Sequence, residues 1–169
     1  MTRFHREPTS VDPCELKGRI SLMTLRDDEV IDLFRELPGH RGCAAADFDD
    51  VERQFAIKLP SLYRTMMQLD AARLVSAGIV VPLDRLQERR NDANAILTEQ
   101  GHLFRLGIND VVFAWDDIFV FYFFAANGES DPPVMKFNYY SSENNWEPTV
   151  AYSTLTKYFA DALRRYLKL

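Results

Sequence analysis

The sequence predicts an α+β fold, in which a mixed, mainly antiparallel sheet is packed by N-terminal helices and a C-terminal helix. Three observations predict it: apolar residues recur at helical spacing before residue 100, residues 111–140 are rich in aromatic and β-branched side chains, and a helical pattern closes the chain. The 169 residues contain no internal repeat or low-complexity linker. A single domain over residues 1–169 is expected, and a domain of this size buries roughly 70% of its unfolded surface.

The N-terminal half predicts mostly helices. Residues 1–26, interrupted by two prolines and a glycine, are expected to form an arm or a short strand. A capped helix is predicted from Asp27 to the Pro38-Gly39 pair. A second helix is predicted from Asp47, with Asp50 completing a weak capping box.

The third helix is predicted to follow Leu59-Pro60, because proline is well tolerated in a first helical turn. Residues 74–81 contain several β-branched side chains and are expected to form a strand split at Gly78. Residues 84–100 predict a further helix, which Gly101 ends.

The C-terminal half predicts strands. Residues 111–115 are β-rich, and residues 118–124 lack polar alternation, which is typical of a strand covered on both faces. Residues 134–140 alternate, so that Met135, Phe137 and Tyr139 should share one face.

The last segment predicts a loop and a helix. Residues 141–148 are polar and are expected to form the loop. Ser153 is expected to cap the closing helix, whose apolar face includes Tyr166.

Negative charge and aromatic side chains are concentrated in one window of the sequence. The net charge is −5, yet Gly107–Val150 alone carries −6 and the remainder +1. The window also holds 11 of the 21 aromatic residues. Its acidic residues are Asp110, Asp116, Asp117, Glu129, Asp131, Glu143 and Glu147.

The composition argues against several functions. An acidic chain is a poor nucleic-acid binder, because phosphate contacts need a clustered basic surface. No apolar run is long enough for a membrane span, and the N-terminus lacks the apolar core of a signal peptide. Two cysteines do not form a disulfide framework. A cytoplasmic protein is therefore expected.

No motif predicts catalysis or a cofactor. The glycines form no phosphate-binding fingerprint, and there is no nucleophile-elbow sequence. Cys14, His40 and Cys43 are a weak metal-ligand set, since an adjacent arginine would oppose a cation, so no metal is expected. Catalytic residues are not expected either. One alternative is a small hydrolase that pairs His102 with Asp131 or Glu143.

Residues 50–64 carry a recognisable motif. A helix bearing Glu52 is followed by Leu59-Pro60-Ser61-Leu62-Tyr63, which has the form Leu-Pro-x-x-Tyr and opens the next helix. This order resembles the opening motif of the SUKH superfamily. Downstream, residues 112–115 and 119–123 look like the central strands of that family.

Two further segments continue the resemblance, which spans residues 47–169. Residues 131–134, Asp-Pro-Pro-Val, look like the family's following edge strand, and residues 153–159 look like its closing serine-capped helix. The family commonly has a glycine pair shortly after the Leu-Pro helix, where this chain has Asp70-Ala71-Ala72. The chain therefore resembles a divergent member.

The resemblance implies a binding protein without catalytic residues. The family includes bacterial immunity proteins, which neutralise toxins delivered between competing cells, and fungal regulators of cell-wall synthesis, which are interaction proteins. The expected function is therefore that of an immunity protein (antitoxin) for a cognate toxin or effector, such as a nuclease with a basic surface. The alternative is a non-toxin adaptor of the same fold.

The acidic, aromatic window is the expected partner-binding patch. Acidic groups steer a basic partner, while tyrosine and tryptophan are common interface anchors. The predicted partner-binding residues are Asp116, Asp117, Glu129, Asp131, Tyr139, Tyr140, Glu143, Trp146 and Glu147.

Overall fold

The computed structural model describes residues 25–116, 120–139 and 147–169. Within these ranges helices pack against a four-stranded antiparallel sheet, which confirms the α+β fold class. Nearly all of the expected N-terminal arm lies outside the described residues. The helices are α1 (Asp27–Arg35), α2 (Ala45–Phe55), α3 (Ser61–Ser76), α4 (Leu86–Glu99) and α5 (Leu155–Leu167), with a 3-10 turn at Leu83–Arg85. The strands are β1 (Asp110–Asp116), β2 (Val120–Ala125), β3 (Val134–Asn138) and β4 (Thr149–Tyr152).

The sheet is a simple meander in the order β1-β2-β3-β4, and its central strand β2 is buried on both faces. Phe121 and Phe123 of β2 join one apolar cluster with Leu97 of α4. Phe124 belongs to the larger cluster, which includes the buried side chains of α1, α2, α3 and α5. The prediction that this aromatic strand is covered on both faces is therefore confirmed.

Strand β3 divides its side chains between the same two clusters. Phe137 is buried in the α4 cluster, where Met135 and Tyr139 pack against it, while Val134 is buried in the larger cluster. The predicted shared face is confirmed. Strand β4 was not predicted, because its four mostly exposed residues carry no apolar alternation.

Helix α3 is broken at Asp70, where the backbone turns extended before the helix resumes. A short strap, residues 41–43, runs along this break. The Cys43 N–H donates to the Met67 carbonyl at 2.9 Å, and the Arg41 carbonyl accepts from the Ala72 N–H at 3.1 Å. The strap therefore satisfies backbone groups that the broken helix leaves open.

The resumed helix overturns the strand expected over residues 74–81. Asp70 accepts the Arg73 N–H at 3.1 Å, as an N-cap does, so the helix continues to Ser76. Gly78 then adopts φ +68°, and the Ile79 N–H donates to the Leu74 carbonyl at 2.9 Å. Residues after Ser76 thus form a turn.

Two helices begin at positions other than those predicted. Helix α2 starts at Ala45, and the Asp47 carboxylate reaches back to accept the Ala44 N–H at 2.8 Å. Helix α5 is capped by Thr154, whose hydroxyl accepts the Lys157 N–H at 3.2 Å, and not by Ser153. Both differences move a cap by one to three residues, which a capping pattern alone does not resolve.

Glu52, the glutamate of the sequence motif, joins α2 to the start of α3. One carboxylate oxygen accepts the Leu59 N–H at 2.9 Å, and the other accepts from Lys58 Nζ at 3.0 Å and pairs with Arg64 at 3.1 Å. Burial opposes ionisation of Glu52, but these hydrogen bonds and the charges of Arg64 and Lys58 outweigh it and lower its pKa.

Replacing Gly42 by alanine should destabilise the protein by about 2–3 kcal/mol, because the new methyl carbon would lie 1.5 Å from the Gln68 carbonyl oxygen. Urea unfolding measures the change. Gly107→Ala is the matched control, since its methyl meets only Asp110 Oδ2 at 3.4 Å. Equal stability of the two variants would show that the strap does not pack against α3.

Replacing Glu52 by glutamine should cost about 2 kcal/mol at pH 7, since it removes a charged acceptor. The lowered pKa means that the ionised carboxylate stabilises the fold above its ordinary value of 4.5, and that this contribution is lost as pH falls through the lowered value. The gap between wild type and variant should therefore narrow on acidification. Denaturant unfolding across pH measures it, with the exposed Glu99→Gln as control; a gap independent of pH contradicts the assignment.

Candidate functional site

The topology brings part of the predicted patch to one end of the sheet. Asp116 pairs with Val120, Val120 pairs with Asn138, and Lys136 pairs with Thr149. The end of β1, the end of β3 and the start of β4 therefore lie at the same end of the sheet, with β1 and β4 as its two outer strands. We call this the acidic end of the sheet, defined by its described residues Asp116, Tyr139 and Glu147.

The remaining predicted residues are placed differently. Glu129 and Asp131 lie between β2 and β3, so they sit at the opposite end of the sheet from Asp116. The structure does not join them to the acidic end. The predicted residues that lie outside the described residues are Asp117, Tyr140, Glu143 and Trp146.

The acidic end carries carboxylates without ion pairs. Asp116 and Glu147 are exposed, and neither forms a salt bridge to another described residue; the same holds for Glu129 at the far end. Most acids elsewhere in the described chain are paired, as Asp27 is with Arg164 at 2.8 Å. The open carboxylates project their charge into solvent, where it can act on a partner.

A cleft of about 510 Å³ opens beside Asp116. It lies between the end of β1, Tyr122 of β2, the turn after α3 and the outer face of α5. Tyr158 is buried and donates from its hydroxyl to the Ile79 carbonyl at 2.6 Å, whereas Tyr166 is 43% exposed. Tyr166 was predicted as part of the apolar core face, and the structure places it on the cleft.

Asp116 is the charged group of the cleft that has no ion pair among the described residues. Arg165 is engaged by Asp161 at 2.9 Å, and the Tyr152 hydroxyl donates to the same carboxylate at 2.8 Å. Burial, reinforced by the charge of Asp116, raises the pKa of Tyr122, so this phenol stays neutral. A carboxylate beside neutral aromatic rings suits a guanidinium or ammonium group.

Tyr139 is a half-buried member of the α4-side cluster. Its ring centroid lies 6.4 Å from those of Phe121 and Phe137. The ring therefore contributes to the core at the acidic end. The side chain is not fully covered, so part of it reaches the surface there.

Asp131, predicted as a partner-binding residue, has a structural role in the fold. Its two oxygens accept the Thr156 N–H and the Thr156 hydroxyl, each at 2.8 Å. Thr156 lies in the first turn of α5, so Asp131 caps this helix from 25 residues away in sequence. The sequence carries no signal for a partner this distant along the chain.

The described residues do not assemble the hydrolase pair. His102 is buried and packs edge-on against Phe137, with ring centroids 5.1 Å apart, on the side of α4. Burial, then the charge of Arg105, lowers the His102 pKa. Asp131 instead binds α5, which belongs to the larger cluster on the other face. Glu143 lies outside the described residues.

Of the candidate metal ligands Cys14, His40 and Cys43, Cys14 lies outside the described residues. His40 Nε2 donates to the Arg35 carbonyl at 2.9 Å, and its Nδ1 lies 3.6 Å from Asp70 Oδ2. Among the described residues no group of three or more His, Cys, Asp or Glu side chains is placed to hold a metal ion. Within the same ranges no helix has the length and apolar character needed to cross a membrane.

Comparison with known proteins adds no assignment: neither a protein-family model nor a curated protein sequence matches this chain. The fold and the site therefore define the chain only as an α+β domain with an acidic, cleft-bearing sheet end.

Replacing Asp131 by alanine should lower stability by about 1–2 kcal/mol, because the first turn of α5 loses its cap. Thermal unfolding measures the loss. Glu129→Ala is the control two residues away, an exposed position at which a change below about 0.5 kcal/mol is expected. Equal melting temperatures for both variants would be incompatible with the capping role.

Proposed function

We propose that this chain is an immunity protein of the cytoplasm, which binds a cognate bacterial toxin and neutralises it by direct contact. In this proposal the protein acts by binding alone and catalyses nothing. The toxin presents a basic surface, as a nuclease does where it holds its substrate.

One observation carries the proposal: the acidic end of the sheet holds exposed carboxylates without ion pairs, and one of them, Asp116, lines a cleft. Asp116 and Glu147 have no ion pair among the described residues, and the cleft beside Asp116 has a volume of about 510 Å³. Charges left open at a surface raise the rate of encounter with a partner of opposite sign. A cleft supplies what a flat acidic surface lacks, which is a place to bury one partner side chain.

An arginine or lysine of the partner fits this cleft best. Asp116 would accept its hydrogen bonds, and the ring of Tyr122 would cover the alkyl stem or the cation. Arg165 does not oppose the guest strongly, because Asp161 neutralises it at 2.9 Å. The acidic end would thereby occupy the basic surface that the toxin uses for its own substrate.

The motif that resembles the SUKH superfamily supports the same class of function. Its residues Glu52, Leu59 and Tyr63 lie in the core or at its edge, where they fasten α2 to α3. In this proposal the motif residues hold the fold, and the binding surface lies elsewhere. The motif therefore supports the fold of a binding protein and leaves partner choice to the surface.

Co-expression with the product of the adjacent gene tests the function. We expect relief of that protein's toxicity and a complex that co-purifies. A complex without relief of toxicity would favour the adaptor alternative, and the absence of both would contradict the proposal.

Charge variants test the surface. Asp116→Asn combined with Glu147→Gln should slow association with the toxin by about three- to tenfold at low salt, and by less at high salt, because steering is screened. Glu36→Gln combined with Glu129→Gln removes the same charge from exposed positions away from the acidic end. Stopped-flow or surface-plasmon kinetics measure both pairs. Identical association rates for the two pairs would refute the acidic end as the toxin-binding surface.

A further inference from the structure

A second, more apolar groove lies on the helical layer. Helices α2 and α3 form its walls, and the segment that leads into the 3-10 turn closes one side. Its volume is about 590 Å³, and it shares no lining residue with the cleft beside Asp116. The two are therefore separate features of the surface.

The floor of the groove is apolar. Met67, Ala71 and Leu83 are buried and form its base, while Val51 and Val75 are half-buried along its sides. Helix α3 presents these residues from both halves, because the break at Asp70 lies between Met67 and Ala71. An apolar side chain placed on this floor would bury apolar surface against Met67, Ala71 and Leu83.

The rim of the groove is acidic. Asp47 and Asp84 are exposed and form no salt bridge within the described residues, whereas Asp50 is paired with Arg53 at 2.8 Å. No described arginine or lysine lines the groove. An apolar floor between unpaired carboxylates complements a segment that has the opposite arrangement, an apolar residue between cations.

Cys43 shows that both carboxylates act on the same space. Its thiol lies in the lining, and its pKa is raised first by burial and then by the charges of Asp47 and Asp84. These two residues are far apart in sequence, so only the fold brings them to one groove. The strap that carries Cys43 is held to α3 by backbone hydrogen bonds, which makes this wall firm.

We propose that this groove binds a short basic segment of a partner protein, with one apolar side chain on the floor and flanking lysine or arginine residues against Asp47 and Asp84. The groove is a docking site distinct from the acidic end of the sheet. It fits an extended or helical peptide that presents a single leucine or phenylalanine anchor.

Fluorescein-labelled 12-residue peptides provide the probe. Each carries one leucine or phenylalanine with lysines three and four residues to either side, and a matched set has glutamate in place of lysine. Fluorescence anisotropy with the full chain should show binding of the lysine peptides and none of the glutamate peptides. Absence of binding by every lysine peptide, or equal binding of the glutamate set, would overturn the proposal.

Variants locate the binding. Asp47→Asn combined with Asp84→Asn should weaken the binding of the lysine peptides about tenfold at low salt. Asparagine at position 47 keeps an oxygen that can accept the Ala44 N–H, so α2 should still begin at the same residue. Glu36→Gln combined with Glu99→Gln is the control of equal charge and should bind as wild type does. An equal loss of peptide affinity in both double variants would show that the effect depends only on net charge, and it would contradict the groove as the binding site.

Two further measurements test where the peptide binds and whether a second copy of the chain takes its place. Val75→Lys places a cation among the groove residues and should abolish peptide binding. In a Cys14→Ser background, bound peptide should slow the reaction of the Cys43 thiol with a maleimide. Unchanged labelling would place the peptide elsewhere. Sedimentation of the free chain tests a second copy as occupant, and self-association lost in Val75→Lys would overturn the partner-peptide proposal.

The acidic-end variant, Asp116→Asn with Glu147→Gln, separates this proposal from the proposed function. It should bind the lysine peptides as tightly as wild type, because neither residue lines the groove. Loss of peptide binding in that variant would move the docking site to the acidic end and refute the groove, whatever the outcome with the toxin.

Discussion

The carboxylate of Glu52 is the point at which the helical layer is fastened to the rest of the structure. It accepts the Leu59 N–H and pairs with Lys58 and Arg64, so it holds the link between α2 and α3 at three points. The backbone of that link then pairs with the loop after β2: Lys58 N–H donates to the Ala126 carbonyl at 3.1 Å, and Gly128 N–H donates to the Lys58 carbonyl at 3.2 Å. A buried acid with three partners thus orders the backbone that connects helices to sheet.

Ion pairing divides the surface of the protein into two kinds of region. Many acids of the described chain are matched by arginine or lysine, as Asp161 is by Arg165. Asp116 and Glu147 at the acidic end, and Asp47 and Asp84 on the helical groove, have no such match among the described residues. Unmatched charge contributes little to stability, and beside a cleft or an apolar floor it supports the binding roles proposed above.

The sequence predicted those elements whose signal is local. The structure has an element at the helical spacing after Asp27 and another at the aromatic run of β2. A helix buried along one stripe and a strand buried on both faces each require a characteristic order of apolar residues, which is visible in the sequence. Residues 74–81 were misassigned because β-branched side chains suit a strand locally. There the cap at Asp70 and the left-handed Gly78 continue and then end a helix.

The sequence predicted which kinds of residue form the site, but it predicted their positions in the fold only in part. A sequence window groups residues by number, whereas a meander sends alternate connections to opposite ends of the sheet. Asp116, on the outer strand β1, and Glu147, just before the outer strand β4, therefore lie at the same end of the sheet, while Glu129 is carried to the far end and Asp131 is taken up by α5. No single stretch of the sequence predicts the groove between α2 and α3, because Asp47 and Asp84 come from separate elements.

The sequence by itself determined the α+β class, the two-sided burial of the central strand and the excess of acid among its aromatic residues. Each of these depends on which side chains are neighbours along the chain. Only the tertiary structure decided which acids are matched, which remain open, and which cavity each one borders. Pairing depends on distances across the fold, such as that from Asp131 to Thr156, and chain order does not contain them.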